Sequence, residues 1–240
     1  MRAFILSLTL LLCFSSDAAR TTTRQDNERR FLDTKLVPAE GVVVSDFVPK
    51  GWKVETDEGE VTGDLNKDGA PDKVLRLVED MPIEGADGTY NTRYRALVIL
   101  FARPGGVGFA RAAVATKLLG CTLCAGMLGD PYGGNVVIEI KKGVLDVNQL
   151  SGAREASELA QHFRYDAALK RFVLIGEDTE YYDRLTLAGT QMSTNYLTGV
   201  RITKKTKSVG EGKDPAIVSN KTTRVPIKSR FIEDVDYERQ

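Results

Sequence analysis

The sequence predicts an all-β, mainly antiparallel domain: a sandwich or an incomplete propeller-like sheet carrying one Asp/Gly-rich, calcium-type loop. Three observations predict it. Short runs of β-branched and aromatic residues, broken by Gly, Pro and Asp turns, recur through residues 42–205. One run, Ala96 to Phe101, is continuously apolar, the pattern of a central strand buried on both faces. Val136 to Ile140 and Val144 to Leu150 both alternate and are joined by Lys141-Lys142-Gly143, which reads as a hairpin.

The elements follow in chain order. Residues 1–18 read as a secretory signal: Arg2, an apolar run from Phe4 to Phe14, then Ser16-Asp17-Ala18 with small residues where cleavage before Ala19 needs them. Anchoring as a lipoprotein at Cys13 ranks below cleavage, because Leu12 precedes it where a small residue is wanted. Residues 19–41 are a polar leader, and Val42 to Val48 opens the ordered domain of 42–205. Pro49-Lys50-Gly51-Trp52 is a turn, and Lys73 to Glu79 is a strand. Met81 to Tyr94 is loop. Phe109 to Leu119 is the hairpin partner of the central run, with its alanines leaving a helix as the alternative. Ala153 to Ala160 has helical propensity, but Leu159, Gln161, Phe163 and Tyr165 alternate, so a strand is expected from about Glu158. Phe172 to Gly176 and Gly199 to Lys204 are further strands. Residues 206–240 form a polar, partly flexible C-terminal extension in which Val225, Ile227 and Phe231 supply a last strand or a docking segment and Asp234 to Gln240 are expected to fray.

The loop from Asp64 to Asp72 carries the most chemistry. Oxygen-bearing side chains stand at positions 1, 3, 5 and 9 (Asp64, Asn66, Asp68 and Asp72), and Gly69 stands where a calcium loop turns sharply. Ala70 offers its carbonyl. Ca²⁺ wants roughly six to eight oxygens, and this spacing wraps them about one centre. A helix–loop–helix site would carry Glu at position 12; here that position is Leu75, inside a strand, so a loop feeding a strand is expected. Asp57, Glu58 and Glu60 are possible further donors. The alternative is a turn that satisfies itself with Asx-type hydrogen bonds and binds nothing. An ion here neutralises crowded carboxylates and is structural rather than catalytic.

Basic and acidic residues balance, 33 against 33, which argues against a general nucleic-acid binder. Beyond the signal no run is long and apolar enough to span a bilayer. The chain is therefore expected in the periplasm or outside the cell. There Cys121 and Cys124 are expected to pair, with free thiols or a redox centre as alternatives. A zinc site would need more ligands than a single His in the chain provides.

Asp46-Phe47-Val48-Pro49-Lys50-Gly51-Trp52, followed by Gly63-Asp64-Leu65-Asn66-Lys67-Asp68-Gly69, resembles the opening of secreted bacterial proteins related to FG-GAP/VCBS-type repeats. The Gly129-Asp130-Pro131 turn, Phe163-Arg164-Tyr165, Phe172 to Gly176 and Asn195 to Gly199 are similar to its later pattern, in order. The resemblance implies calcium held between strands by Asp64, Asn66, Asp68, Ala70 and Asp72. It implies no activity. FG-GAP propellers repeat the unit and this chain has it once, which departs from a full propeller.

Catalytic sets are incomplete. His162, the only histidine, is expected on the strand face opposite Phe163 with a structural hydrogen bond. No Gly-x-Ser-x-Gly or Walker loop occurs. Glu177 with Asp178, and Glu233 with Asp234 and Asp236, take no assigned role. Tyr181, Tyr182 and Tyr196 either pack or line a ligand surface. The expected function is a secreted or periplasmic, calcium-stabilised binding protein whose partner is a protein or glycan. The alternative is an envelope enzyme, either a metal-assisted hydrolase at Asp64–Asp72 or a thiol oxidoreductase at Cys121/Cys124.

Overall fold

The computed structural model describes residues 31–210, 213–227 and 229–239. The signal segment, Cys13 and residues 19–30 of the leader lie outside the described residues.

The fold is all-β: two antiparallel sheets, one curled strongly into a half-barrel. The first sheet holds β1 (Glu40–Gly41), β2 (Trp52–Val54), β3 (Glu60–Gly63), β4 (Asp72–Glu79), β5 (Arg95–Ala102) and β6 (Phe109–Ala115). Its order is β1-β6-β5-β4-β2, with β3 also on β4. The second is an uninterrupted meander: β7 (Val136–Lys141), β8 (Val144–Gly152), β9 (Glu155–Asp166), β10 (Arg171–Asp183), β11 (Gly189–Asn195), β12 (Val200–Lys207) and β13 (Ala216–Arg224).

β5 is central and buried on both faces, as its unbroken apolar run predicts. Leu97 and Ile99 face the second sheet, where they meet Leu145, Val147, Phe163 and Phe172. Ala96, Val98 and Leu100 face a second core closed by Leu32, Val37 and Phe47. Part of the polar leader is thus built into the fold, through two apolar residues too isolated in a charged stretch to show a period. β6 is a strand and not the helical alternative: pairing with β5 overrides alanine propensity. The same holds for β9, which begins at Glu155. The β7–β8 hairpin turns on Lys142 and Gly143, both at positive φ (54° and 77°), the conformation a two-residue turn of this hand requires.

The core shared by the two sheets takes its buried second-sheet residues from β7, β8, β9 and the first half of β10. Phe101, Tyr165 and Phe172 close that contact, with ring centroids 4.8–5.9 Å apart. Beyond Gly176, among the described residues, no buried residue of β10 to β13 belongs to that core. The chain after β13 returns across this open part, and Ile232 and Val235 are buried in the main core. This second half of β10, with β11 and β13, falls where the sequence shows no apolar alternation.

Candidate functional site

The Asp64–Asp72 loop holds itself together. Asp64 accepts from Lys67 N (2.6 Å) and Gly69 N (3.1 Å), Asn66 Oδ1 from Asp68 N (2.9 Å), and Asp68 Oδ1 from Ala70 N (2.8 Å). Gly69 is at φ 86°, which a side chain would strain. Asp64, Asn66, Asp68 and the Ala70 carbonyl are hard oxygen donors of the kind calcium takes. Asp72 is bonded into the strands as well as the loop. It is fully buried at the start of β4. Its Oδ2 accepts from Leu65 N (2.8 Å) and Asn66 N (3.4 Å), and its Oδ1 from Ala102 N (3.0 Å) at the end of β5. Burial pushes this carboxyl above the usual carboxylate range, against the three N–H bonds that pull it down. Of the suggested upstream donors, Glu60 pairs instead with Lys73 Nζ at 2.7 Å. Among the described residues no group of three or more His, Cys, Asp or Glu side chains is arranged to hold a metal ion.

Cys121 and Cys124 form a disulfide, with S–S 2.04 Å and Cα–Cα 4.9 Å. It lies in the long crossing from β6 to β7, which rests on a buried charge network that the sequence reading missed. Glu55 stands between Arg76 and Arg95, all three nearly or wholly inaccessible. Arg95 holds Glu55 with Nε (2.8 and 2.9 Å) and Nη2 (2.7 Å). Its Nη1 donates to the Gly120 and Cys121 carbonyls at 3.1 and 3.2 Å. Arg76 Nε is 2.9 Å from Glu55 Oε2, an ion pair out of line for a hydrogen bond. Its Nη1 donates to the Val136 carbonyl. Arg93, also buried, donates to the Pro131 carbonyl. The arginines thus supply hydrogen bonds to a crossing with no secondary structure of its own.

His162 is held by two carboxylates: Nδ1 to Asp146 at 2.7 Å and Nε2 to Asp178 at 3.2 Å. The three come from adjacent strands β8, β9 and β10, on the face opposite Phe163. With both ring nitrogens occupied, the arrangement is a clamp rather than a poised base. Burial lowers the His162 pKa, but the two carboxylates together outweigh it and leave it above the ordinary value of 6.5. A raised folded-state value stabilises fully below about pH 6.5, and the contribution is lost as pH rises through the higher folded value. His162→Gln is expected to flatten this pH dependence between pH 6 and 9 in urea melts, by no more than about 1 kcal/mol because the clamp is partly exposed.

A large cavity lies on the other face of the same sheet, past the core that the two sheets share. Its volume is about 840 Å³, and its sides are β8 to β12 and the returning C-terminal segment. β-alternation explains its lining: Ser157 and Leu159, Glu177 and Thr179, and Met192 lie cross-strand on one face, continuing the row that Phe163 and Leu174 begin in the core. Glu177 and Asp178 are therefore separated, one to this cavity and one to the His162 clamp. Glu177 accepts from Gln161 Nε2 (3.1 Å), Tyr196 OH (3.2 Å) and Arg230 Nη2 (3.2 Å). Arg230 also donates to Tyr196 OH (2.8 Å) and lies 5.0 Å from that ring centroid. Burial pushes the Tyr196 hydroxyl up, and Glu177 adds to it. Arg201 donates through Nε to Thr194 Oγ1 at 2.8 Å. Tyr196 thus lines a cavity, whereas exposed Tyr181 is bound to Glu155 at the sheet's far end. Glu233 and Asp234 pair with Arg171 at 3.2 and 3.4 Å, away from Glu177.

No family model, no curated protein and no solved structure matches the chain.

Proposed function

We propose that the chain is a secreted or periplasmic binding protein that takes its ligand in the 840 Å³ cavity and is stabilised by calcium at the Asp64 loop. The cavity carries the reading. It has the size of a ligand site, a mixed apolar and hydroxyl lining, and a hydrogen-bonded charged cluster at one end. The charged groups are braced by one another, which is how a recognition surface is kept in shape before its ligand arrives. No helix among the described residues is long and apolar enough to cross a membrane.

Calcium enters through Asp64, Asn66, Asp68 and the Ala70 carbonyl, with Asp72 as the anchor that holds the loop to β4 and β5. The ion's contribution would be to neutralise the Asp64 and Asp68 carboxylates, gathered in one turn. The loop also abuts the β7–β8 turn: a Cβ on Gly143 would lie 3.5 Å from the Asp64 carbonyl. Ordering the loop therefore steadies the joint between the sheets. Calorimetric titration is expected to show saturable calcium binding, lost in the Asp64→Ala, Asp68→Ala variant. With an affinity of roughly 10⁻⁴–10⁻³ M, millimolar calcium would add on the order of 1 kcal/mol. EDTA should lower the melting temperature by a few degrees and calcium restore it; no heat and an unmoved melt would remove calcium from the proposal.

A further inference from the structure

We infer that the cavity's ligand is an acidic oligosaccharide, its oxyanion (carboxylate or sulfate) held by the free fork of Arg201; this rests on the reading of the cavity as the binding site. The charged lining is one carboxylate, Glu177, against three guanidiniums, Arg201, Arg230 and Arg239. Glu177 is answered by Arg230, Tyr196 and Gln161. Arg239 is at the exposed rim, 3.9 Å from Asp236. Arg201 is left over. Only its Nε is engaged, on Thr194, and among the described residues its two terminal nitrogens have no hydrogen-bond partner. Arg201 is partly buried and lines the cavity, and a guanidinium with both terminal nitrogens unengaged matches an oxyanion in two parallel, charge-assisted bonds. Its Nε bond to Thr194 fixes the plane of the fork in advance.

The rest of the wall says what carries the anion. Hydroxyls of Ser157 and Thr179, with that of Ser151, which also donates to the Ser157 carbonyl at 3.5 Å, are interspersed with apolar surface from Leu159, Met192 and Pro226. A sugar ring presents the same mixture, with hydroxyls around its edge and C–H groups on its faces. An apolar acid would leave the hydroxyls unpaired on desolvation, and a compact inorganic anion would leave most of 840 Å³ unfilled. A chain of two or three acidic sugars meets both requirements.

The test uses trigalacturonate, a sulfated trisaccharide, neutral maltotriose, inorganic sulfate and hexaglutamate as probes, by calorimetry at low and physiological salt. Trigalacturonate or the sulfated sugar should bind at least tenfold tighter than maltotriose, weaken with salt, and so name which oxyanion is taken. Arg201→Gln should erase that tenfold advantage, and Arg201→Lys, which keeps charge but loses the fork, should restore only part of it. Thr179→Trp, which fills the cavity from β10, should abolish binding; an unchanged melting profile of each variant shows that the fold is intact. Equal binding of acidic and neutral sugars, both blocked by Thr179→Trp, would overturn the oxyanion assignment and leave the cavity as a site. Binding of hexaglutamate or of sulfate alone, in preference to the sugars, would overturn the glycan assignment. Failure of every probe, or binding indifferent to Thr179→Trp, would overturn the cavity reading itself.

Discussion

Glu55→Ala is expected to destabilise the fold by roughly 3–5 kcal/mol, because it leaves two buried guanidiniums without their carboxylate. The Glu55 side chain is wholly inaccessible and stands between Arg76 and Arg95. Burial already drives the Arg76 pKa down, with the Glu55 charge holding it up. Removing that charge removes what makes the burial tolerable. The Glu58 and Asp130 charges also favour a charged Arg76, but less than Glu55 does, and Arg95 already donates to carbonyls of the crossing, at 3.1–3.3 Å. Carbonyls satisfy hydrogen bonds but do not cancel net charge. Glu55→Gln keeps the shape and one acceptor and should cost less. Urea unfolding measures both. A Glu55→Ala loss below about 1 kcal/mol would mean that water reaches these arginines. The loss should also be local first. Thr122, Gly120 and Cys121 are tied to Arg93 and Arg95, so the crossing should open before the sheets do. Faster reduction of the Cys121–Cys124 disulfide by a mild thiol, at a denaturant concentration where the fold is intact, would report that opening. Tyr237 packs its ring over Gly120 and also lines the cavity, so the same opening should reach the binding site.

What the sequence disclosed follows from what constrained each stretch. β5 was legible because two cores press on it and every position must be apolar. β7 and β8 were legible because one face is core and the other is solvent, and because a Gly-containing turn joins them. β11, β13 and the second half of β10 were not. There β10 and β11 line a cavity of mixed polar and apolar residues and β13 is exposed along most of its length, so neither imposes alternation. The candidate site was hidden for the same reason, since a mixed polar and apolar cavity wall and a partly solvated strand have similar composition. Tyr196 could be suspected, but Arg201 and Arg230 lie in strongly basic stretches where no single arginine stands out. The Glu55 network left a trace in Arg76 and Arg95, charges set within apolar strands, but their partner comes from a loop far upstream. The Cys pair was legible because the two cysteines stand three positions apart and an oxidising compartment is expected from the signal segment. In the Asp64 loop the residue types were read from spacing, whereas the buried role of Asp72 depends on the end of β5.

Asp72 separates anchor from ligand, and the anchor role makes a large prediction. Asp72→Ala orphans three backbone N–H groups at once: Leu65 and Ala102 at 2.8 and 3.0 Å, and Asn66 at 3.4 Å. Leu65 is itself buried in the main core, so its N–H has little access to replacement water. At about 1 kcal/mol or more for each unsatisfied donor, the expected loss is about 3 kcal/mol. Asp72→Asn should cost less. It keeps one acceptor, and it removes a charge that burial disfavours. The sign of the pH dependence follows from that burial. A carboxyl raised in the folded state favours the fold most when protonated, and this contribution fades as pH rises through its folded value. The gap between Asp72→Asn and wild type should therefore narrow toward neutral pH. Calcium supplies the decisive comparison. An anchor costs the same 3 kcal/mol, roughly, in EDTA and in calcium, and the variant still gains stability from the ion through Asp64, Asn66 and Asp68. A ligand costs more in calcium than in EDTA, and its loss leaves a melt that no longer responds to the ion. Two thermal melts of one variant thus decide whether Asp72 grips a metal or pins the loop to β5, as its three N–H partners indicate.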